Sequence, residues 1–412
     1  MAFDLGGQSR LTVNGGTVTL GDTLLVTADG IGGGGTTTSG NGIGGTAAVT
    51  LNGGLSPTLL NLSGISHQIT ANGSINGQFP SVNGGNATGG AASLTINSGT
   101  MNSIELAVNA TAIGGEATTG IAGVASGGSA RILMTGGQFN TRTLTLNANE
   151  RQGAAGPGGT AGATTGSGLA AVDVSGTGVL AVGTTGGNSM TLAADAIKAG
   201  ARLGAPIAGG NLVAGTARLT ATSGGTITAD ATAPSAPKPP VLLSASVLFN
   251  DNIVGAPAAS QRAGTVLVNA DGGTMSLHAL DMRANALVRD FALPNDPAGP
   301  SFGGTATMAA RNGGSLTVRA GSGATLLSAF ATGGSPNVPA LGTGGTINVL
   351  AQGGTLALPD GLTADVRGYS GSGTTLGGVG GTVNVSSTAG AAGQAGTLSA
   401  GTTVIDASGQ VS

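Results

Sequence analysis

The chain repeats one alternation of apolar and polar positions ten times. Its plainest form is Gly44-Gly45-Thr46-Ala47-Ala48-Val49-Thr50-Leu51-Asn52-Gly53-Gly54: a glycine turn, a short alternating run, and another glycine turn. Copies start at Gly6, Gly44, Gly89, Gly127, Ser167, Ala214, Ala263, Gly303, Gly344 and Gly380. Five residues into each copy stands a large apolar side chain: Leu11, Val49, Leu94, Ile132, Val172, Leu219, Val268, Met308, Val349 and Val385. Two residues earlier the position is small or β-branched, and the residues between are mostly polar, as at Arg10, Ser93, Arg131, Arg218 and Asn348. Period two with one apolar face predicts a half-buried β-strand whose large residues form a core ladder.

A second turn follows nine or ten residues after each start, with glycine at Gly15, Gly53, Gly136, Gly176, Gly224, Gly272, Gly313 and Gly353. These are predicted corners, where glycine supplies positive φ; Asn14, Asn52, Asn97 and Asn312 suit the same backbone region. A second alternating strand comes next, for example at 17–20, 138–139, 226–229 and 315–318, and then a third, as at 24–26, 104–108, 144–146 and 362–366. From there to the next copy runs an excursion rich in Gly, Ala and Thr, such as 30–45, 150–168 and 283–304. The proline-rich segment 233–240 reads as an insertion between the second and third strands of the sixth copy, placed where it spares the strand ladders.

Successive copies lie 36 to 49 residues apart, a period that signals a solenoid, a propeller or an array. A propeller blade needs antiparallel hairpins with tight turns, whereas each unit here carries three short strands separated by corners. The prediction is an all-β parallel β-helix, or β-solenoid, of about ten coils of roughly forty residues with long Gly-rich loop excursions. It forms one repeat domain over 1–412 with no separate caps. Both ends read as cut from a longer rod or shaped to meet another chain, since an open strand edge templates association.

Composition bears on this only in part. Of 412 residues 82 are glycine, charged residues are 8%, and there is no cysteine or tryptophan. Disorder goes with low hydrophobicity and high net charge, but 39% of the chain is hydrophobic and the formal charge is -3. The 14 Lys and Arg residues are scattered and aromatics are 2%, which leaves neither a basic footprint nor a stacking platform for nucleic acid. Polar residues interrupt every apolar run, so no membrane-spanning stretch is expected. The opening Met1-Ala2-Phe3-Asp4-Leu5 lacks the charged and apolar regions of a secretion signal.

Candidate chemistry is thin. The one dense charged window is Asp271, His278, Asp281, Arg283, Arg289, Asp290 and Asp296, which reads as a solvated loop with local ion pairs or as a divalent-ion or sugar site. His67 and His278 are the only histidines and lie far apart without thiolate partners, so neither a zinc site nor a serine triad is assigned. No glycine-rich loop carries the phosphate-binding lysine motif, and the calcium-binding nonapeptide is missing. Regular Thr-x-Thr rows of an ice-binding face are not seen. The sequons at Asn61, Asn86 and Asn109 carry little weight in a chain this rich in Asn, Ser and Thr. No catalytic residue, cofactor or metal ligand is assigned.

The phrases Gly303-Gly304-Thr305-Ala306-Thr307-Met308, Gly344-Gly345-Thr346-Ile347-Asn348-Val349 and Gly380-Gly381-Thr382-Val383-Asn384-Val385, with the closing Thr402-Thr403-Val404-Ile405-Asp406-Ala407-Ser408-Gly409, resemble the repeat shafts of bacterial filamentous-haemagglutinin-like adhesins and, more loosely, autotransporter passengers. The resemblance covers nearly the whole chain. It implies a right-handed parallel β-helix, exported by Gram-negative bacteria to the cell surface. There it would serve as a non-catalytic rod for adhesion, biofilm or delivery of a distal domain, with itself and surface glycans as partners. Two features depart from the family: the amino-terminal secretion domain with its Asn-Pro-Asn-Gly type motif is missing, and the coils are about twice the usual size. A β-helix polysaccharide-binding or polysaccharide-cleaving protein is the alternative.

Overall fold

A single coil of this chain has too few large apolar side chains to offset the entropy of ordering it, so stability must come from stacking. The computed structural model describes residues 3–53, 57–75, 81–183, 189–198, 209–229, 241–249, 259–287, 299–333, 340–370 and 377–411, and no helix occurs among them. It is a parallel β-solenoid. Its first side is a ten-stranded sheet running in chain order from Gln8–Val13 through Leu169–Ser175 to Thr382–Thr388, with every strand parallel to the next. In register, Leu11 pairs with Val49, Val49 with Leu94, Leu94 with Ile132, and so on through Val172, Leu219, Val268, Met308 and Val349 to Val385. The eight inner rungs are fully buried. The end rungs, with a coil on one side only, differ: Leu11 is half-buried and Val385 is 45% exposed.

The second and third sides close the apolar interior against the first. In most coils they are separate strands, such as Ser315–Val318 and Thr325–Ser328. In the third and fourth coils they fuse into single ten-residue strands, Thr100–Asn109 and Gln138–Asn147. Glycine interrupts the second corner at Gly21, Gly64, Gly183, Gly321 and Gly361, and His278-Ala279 does so in the seventh coil, whereas at 103–105 and 141–143 the strand runs through. The bend survives as a gap in pairing between Ser103↔Thr141 and Glu105↔Thr143. Thr141 fastens it, its hydroxyl donating to the carbonyl of Thr143 at 3.0 Å.

The predicted corners divide into two groups. Gly15, Gly176, Gly224, Gly272, Gly313 and Gly353 do take positive φ. Gly53 and Gly136 do not: Gly137 makes the left-handed turn beside Gly136, and the Gly53 amide is held by the Ser98 hydroxyl. Of the corner asparagines only Asn312 is left-handed. The other three instead stack as an amide ladder, Asn52 donating to Asn14 at 2.9 Å and Asn97 to Asn52 at 2.8 Å. The amide serves as a rung between coils, a use that turn propensity alone does not reveal.

The excursions are the main departure from expectation. They fold into a second, thinner lobe with two further parallel ladders. One climbs through Gly30–Gly32, Gly73–Ile75, Ala112–Ile113 and Glu150–Arg151 to Val247–Phe249, and resumes from Ala286 through Ala331–Thr332 and Gly368–Ser370 to Gly409–Val411. The other returns through strands such as Asn41–Ile43, Gln261–Arg262 and Ser301–Phe302. Small satellite cores of alanine fill it, for example Ala263, Ala286 and Ala331. The two arms touch backbone to backbone: a Cβ on Gly30 would lie 1.9 Å from the Ile43 carbonyl oxygen, so only glycine fits.

A narrow neck joins the lobes. There the second glycine of most repeat starts donates its N–H to a carbonyl at the end of the preceding third strand: Gly45 to Ala28, Gly90 to Ala71, Gly215 to Ala194, Gly304 to Ala284, Gly345 to Ala329. Alanine holds this acceptor position in nearly every coil because the neck lies inside the close-packed core. The proline-rich segment 233–240 lies outside the described residues.

The burial pattern yields a stability contrast. Val172→Asp, which places an unpartnered carboxylate in the middle of the ladder, should cost at least about 3 kcal/mol and break cooperative unfolding into two blocks. Arg131→Ala should cost under about 1 kcal/mol, because the side chain is 42% exposed and its partner Asp173 keeps Arg218 and Thr220. Urea unfolding followed by circular dichroism checks both; equal midpoints would contradict the inward and outward assignment.

Candidate functional site

The polar residues that depart from the solenoid's bland surface collect where the third side turns into the second lobe. Backbone pairing aligns there one residue from every coil: Asp29, Asn72, Thr111, Asn149, Asp195, Ser246, Asn285, Phe330, Arg367 and Ser408. Side-chain oxygens in this column accept the backbone N–H of the coil above. Asn72 N–H donates to Asp29 at 2.6 Å, Thr111 to Asn72 at 2.9 Å, Asp195 to Asn149 at 2.7 Å, Ser246 to Asp195 at 2.7 Å, Asn285 to Ser246 at 3.2 Å and Phe330 to Asn285 at 3.1 Å. The chain turns here, so its amides leave the regular ladder, and the side chains supply the missing acceptors. A signal for this column exists in the sequence as the recurring step Ala28-Asp29, Ala71-Asn72, Ala110-Thr111, Ala148-Asn149, Ala194-Asp195, Ala245-Ser246 and Ala284-Asn285.

Glu150 shows the same logic at a neck. It begins the fourth coil's excursion, is buried, and its carboxylate accepts the N–H groups of Thr165 at 2.6 Å, Gly166 at 3.0 Å and Gly168 at 2.9 Å. Gly168 therefore bonds to a side chain where the equivalent glycines of other coils bond to backbone carbonyls, alanine in most and Val366 for Gly381.

Beside the corner column lies a cleft of about 500 Å³ whose walls include Leu242, Leu248, Leu326 and Phe330 and whose polar edge includes Asp195, Asp281, Arg283 and Asn285. The charged window picked from sequence is only partly gathered here. Asp281 is buried and held by the Arg283 guanidinium through two bonds, at 3.0 and 2.5 Å to one oxygen. Asp271 lies on the first side, accepting from the Asn312 amide at 2.7 Å. The buried His278 places Nδ1 2.9 Å from the Ala229 carbonyl oxygen. Arg289, Asp290 and Asp296 lie outside the described residues. His67, also buried, accepts the Leu24 N–H at Nδ1 (3.1 Å), which makes Nε2 the donor to the Gly64 carbonyl at 3.0 Å.

Asp195 is the carboxylate whose surroundings matter most. Burial pushes its pKa up to about 6, and hydrogen bonds from the Ser244 hydroxyl and Ser246 N–H, with the more distant Arg283 charge, only partly oppose this. Asp173 on the first side has the opposite balance. Burial alone would raise it, but the Thr220 hydroxyl and the guanidinium groups of Arg218 and Arg131 hold it below the usual carboxylate range. No group of three or more His, Cys, Asp or Glu able to hold a metal occurs among the described residues, and no helix there is long and apolar enough to cross a membrane.

Two expectations follow. Between its ordinary value near 3.8 and about 6, Asp195 keeps its proton in the folded chain but loses it in the unfolded one. Stability is therefore fully present below pH 4 and declines as pH rises through 6, by on the order of 2 to 3 kcal/mol. Asp195→Asn, which can accept the same two bonds, should gain that amount at pH 7.5 and nothing at pH 4 in urea unfolding. Glu150→Ala leaves the N–H groups of Thr165, Gly166 and Gly168 without their acceptor, the last of them buried, and should cost about 1 to 3 kcal/mol; proteolysis after 150 should rise in parallel.

Set against family models, curated proteins and solved structures, the chain matches none, so its function is argued from its own geometry.

Proposed function

We propose that the chain is a section of a non-catalytic extracellular rod on a bacterial surface, of the kind found in filamentous-haemagglutinin-like adhesins, giving reach, rigidity and attachment. The observation that carries this reading is the core ladder, which runs in register from Leu11 to Val385 without a break. A body whose every coil repeats the same section has length as its main product; ten coils at about 4.8 Å make roughly 45 Å. The charged groups support the same view, since Asp173, Asp281, Asp365 and Glu105 meet arginines within the scaffold. In one mechanical version the rod belongs to a single very long adhesin; in the other, chains stack end to end.

The alternative, a polysaccharide-cleaving β-helix, would use the cleft carboxylates. Asp281 is the best placed of them, yet it is already engaged by Arg283. Electron microscopy of purified protein across a dilution series should give rods of constant width, short and uniform for the first version and lengthening with concentration for the second. Polysaccharide cleavage abolished by Asp281→Ala or Asp290→Ala would overturn the structural reading.

A further inference from the structure

The neck leaves a groove on the opposite flank as well, between the returning ladder of the thin lobe and the first side. It extends over the fifth to ninth coils with a volume of about 480 Å³, and the neck glycines form its floor. One wall is the row Thr216, Thr265, Thr305 and Thr346, paired in register and therefore one hydroxyl per coil. The other wall carries Arg262 and Phe302, also paired in register, with the guanidinium 5.0 Å from the ring centroid.

Three observations point to a ligand. None of the four threonine hydroxyls bonds to another described residue, in contrast to Thr141, Thr164 or Thr220 elsewhere. Arg262 is exposed and, like Arg10, Arg151 and Arg311, makes no ion pair among the described residues, but its guanidinium is set over the Phe302 ring at the groove. It is the one charged residue lining the groove, in a chain whose net charge is -3.

We propose that this groove binds a linear, carboxylate-bearing glycan lying along the rod axis. Hydroxyls repeating every 4.8 Å or so match in scale the advance of an extended sugar chain, and hydroxyl–hydroxyl bonding suits a polyol. The glycine floor lets a sugar ring approach the backbone. Phe302 offers an apolar face, and Arg262, already oriented by stacking on it, presents paired N–H donors to a carboxylate. An extended peptide is less well served, because the strands walling the groove direct their N–H and C=O groups to the coils above and below and leave no free edge beside it.

The probe is an oligogalacturonate about ten sugars long, titrated calorimetrically into the full chain, with its methyl-esterified form as the uncharged control. The acid form should bind with an affinity that falls as salt rises, and the ester at least ten-fold more weakly. Arg262→Ala should lose ten-fold or more, Arg262→Lys should recover part, and Arg142→Ala, a paired arginine away from the groove, should bind as wild type. Unchanged melting curves would separate binding loss from misfolding. Failure of the acid form to bind at millimolar concentration, equal affinity in Arg262→Ala, or equally tight binding of polyglutamate would overturn the proposal. None of these outcomes bears on whether the molecule is a rod.

Discussion

The structure depends on one condition: along its strand ladders, the backbone donors and acceptors of each coil are satisfied mainly by the coils above and below. A coil that changes its perimeter strands its neighbours' amides, so all ten copies keep the same three-sided outline although their lengths differ by more than a dozen residues. The neck makes both facts compatible. By hydrogen-bonding the start of one coil to the end of the third strand before it, the glycine amide closes the core and passes the long excursions outward.

Polar residues follow the same condition. Wherever the chain turns too sharply for amides to reach their regular partners, a short side chain supplies an acceptor, as in the column from Asp29 to Asn285 and the carboxylate of Glu150. Asn and Ser do this without charge. Asp195 performs the same task with a group that burial drives toward its neutral form, which makes that rung the pH-sensitive one.

How much of this could be read from the sequence depends on how much contrast each feature carries. The core ladder was legible because Leu94, Ile132 and Val172 alternate with polar residues, and ten copies repeat the contrast. The thin lobe was not, since its buried positions are Gly and Ala: in Gly30–Gly32 the one large side chain, Ile31, is exposed, and in Ala125–Ser126 there is none. Its order comes from close backbone contact and small satellite cores, mostly of alanine, and in sequence that resembles a flexible loop. The corner column offered one polar residue per coil, hidden among many. The fused strands carried no distinct signal, since the equally glycine-free His278-Ala279 separates two strands. Candidate chemistry was the least legible: linear proximity suggested a cluster of Asp271, His278 and Asp281, but the fold sends them to different sides, while Arg262 and Phe302, forty residues apart, meet in one groove.

A cross-section made of two lobes joined at a waist also has a mechanical consequence. Resistance to bending grows steeply with the breadth of material in the plane of the bend, so a bar of this profile flexes more readily across its flat faces than edgewise. The molecule is better pictured as a ruler than as a cylinder. Side load would bow it in one preferred direction, and that direction is the one that opens one flank of the waist while it compresses the other.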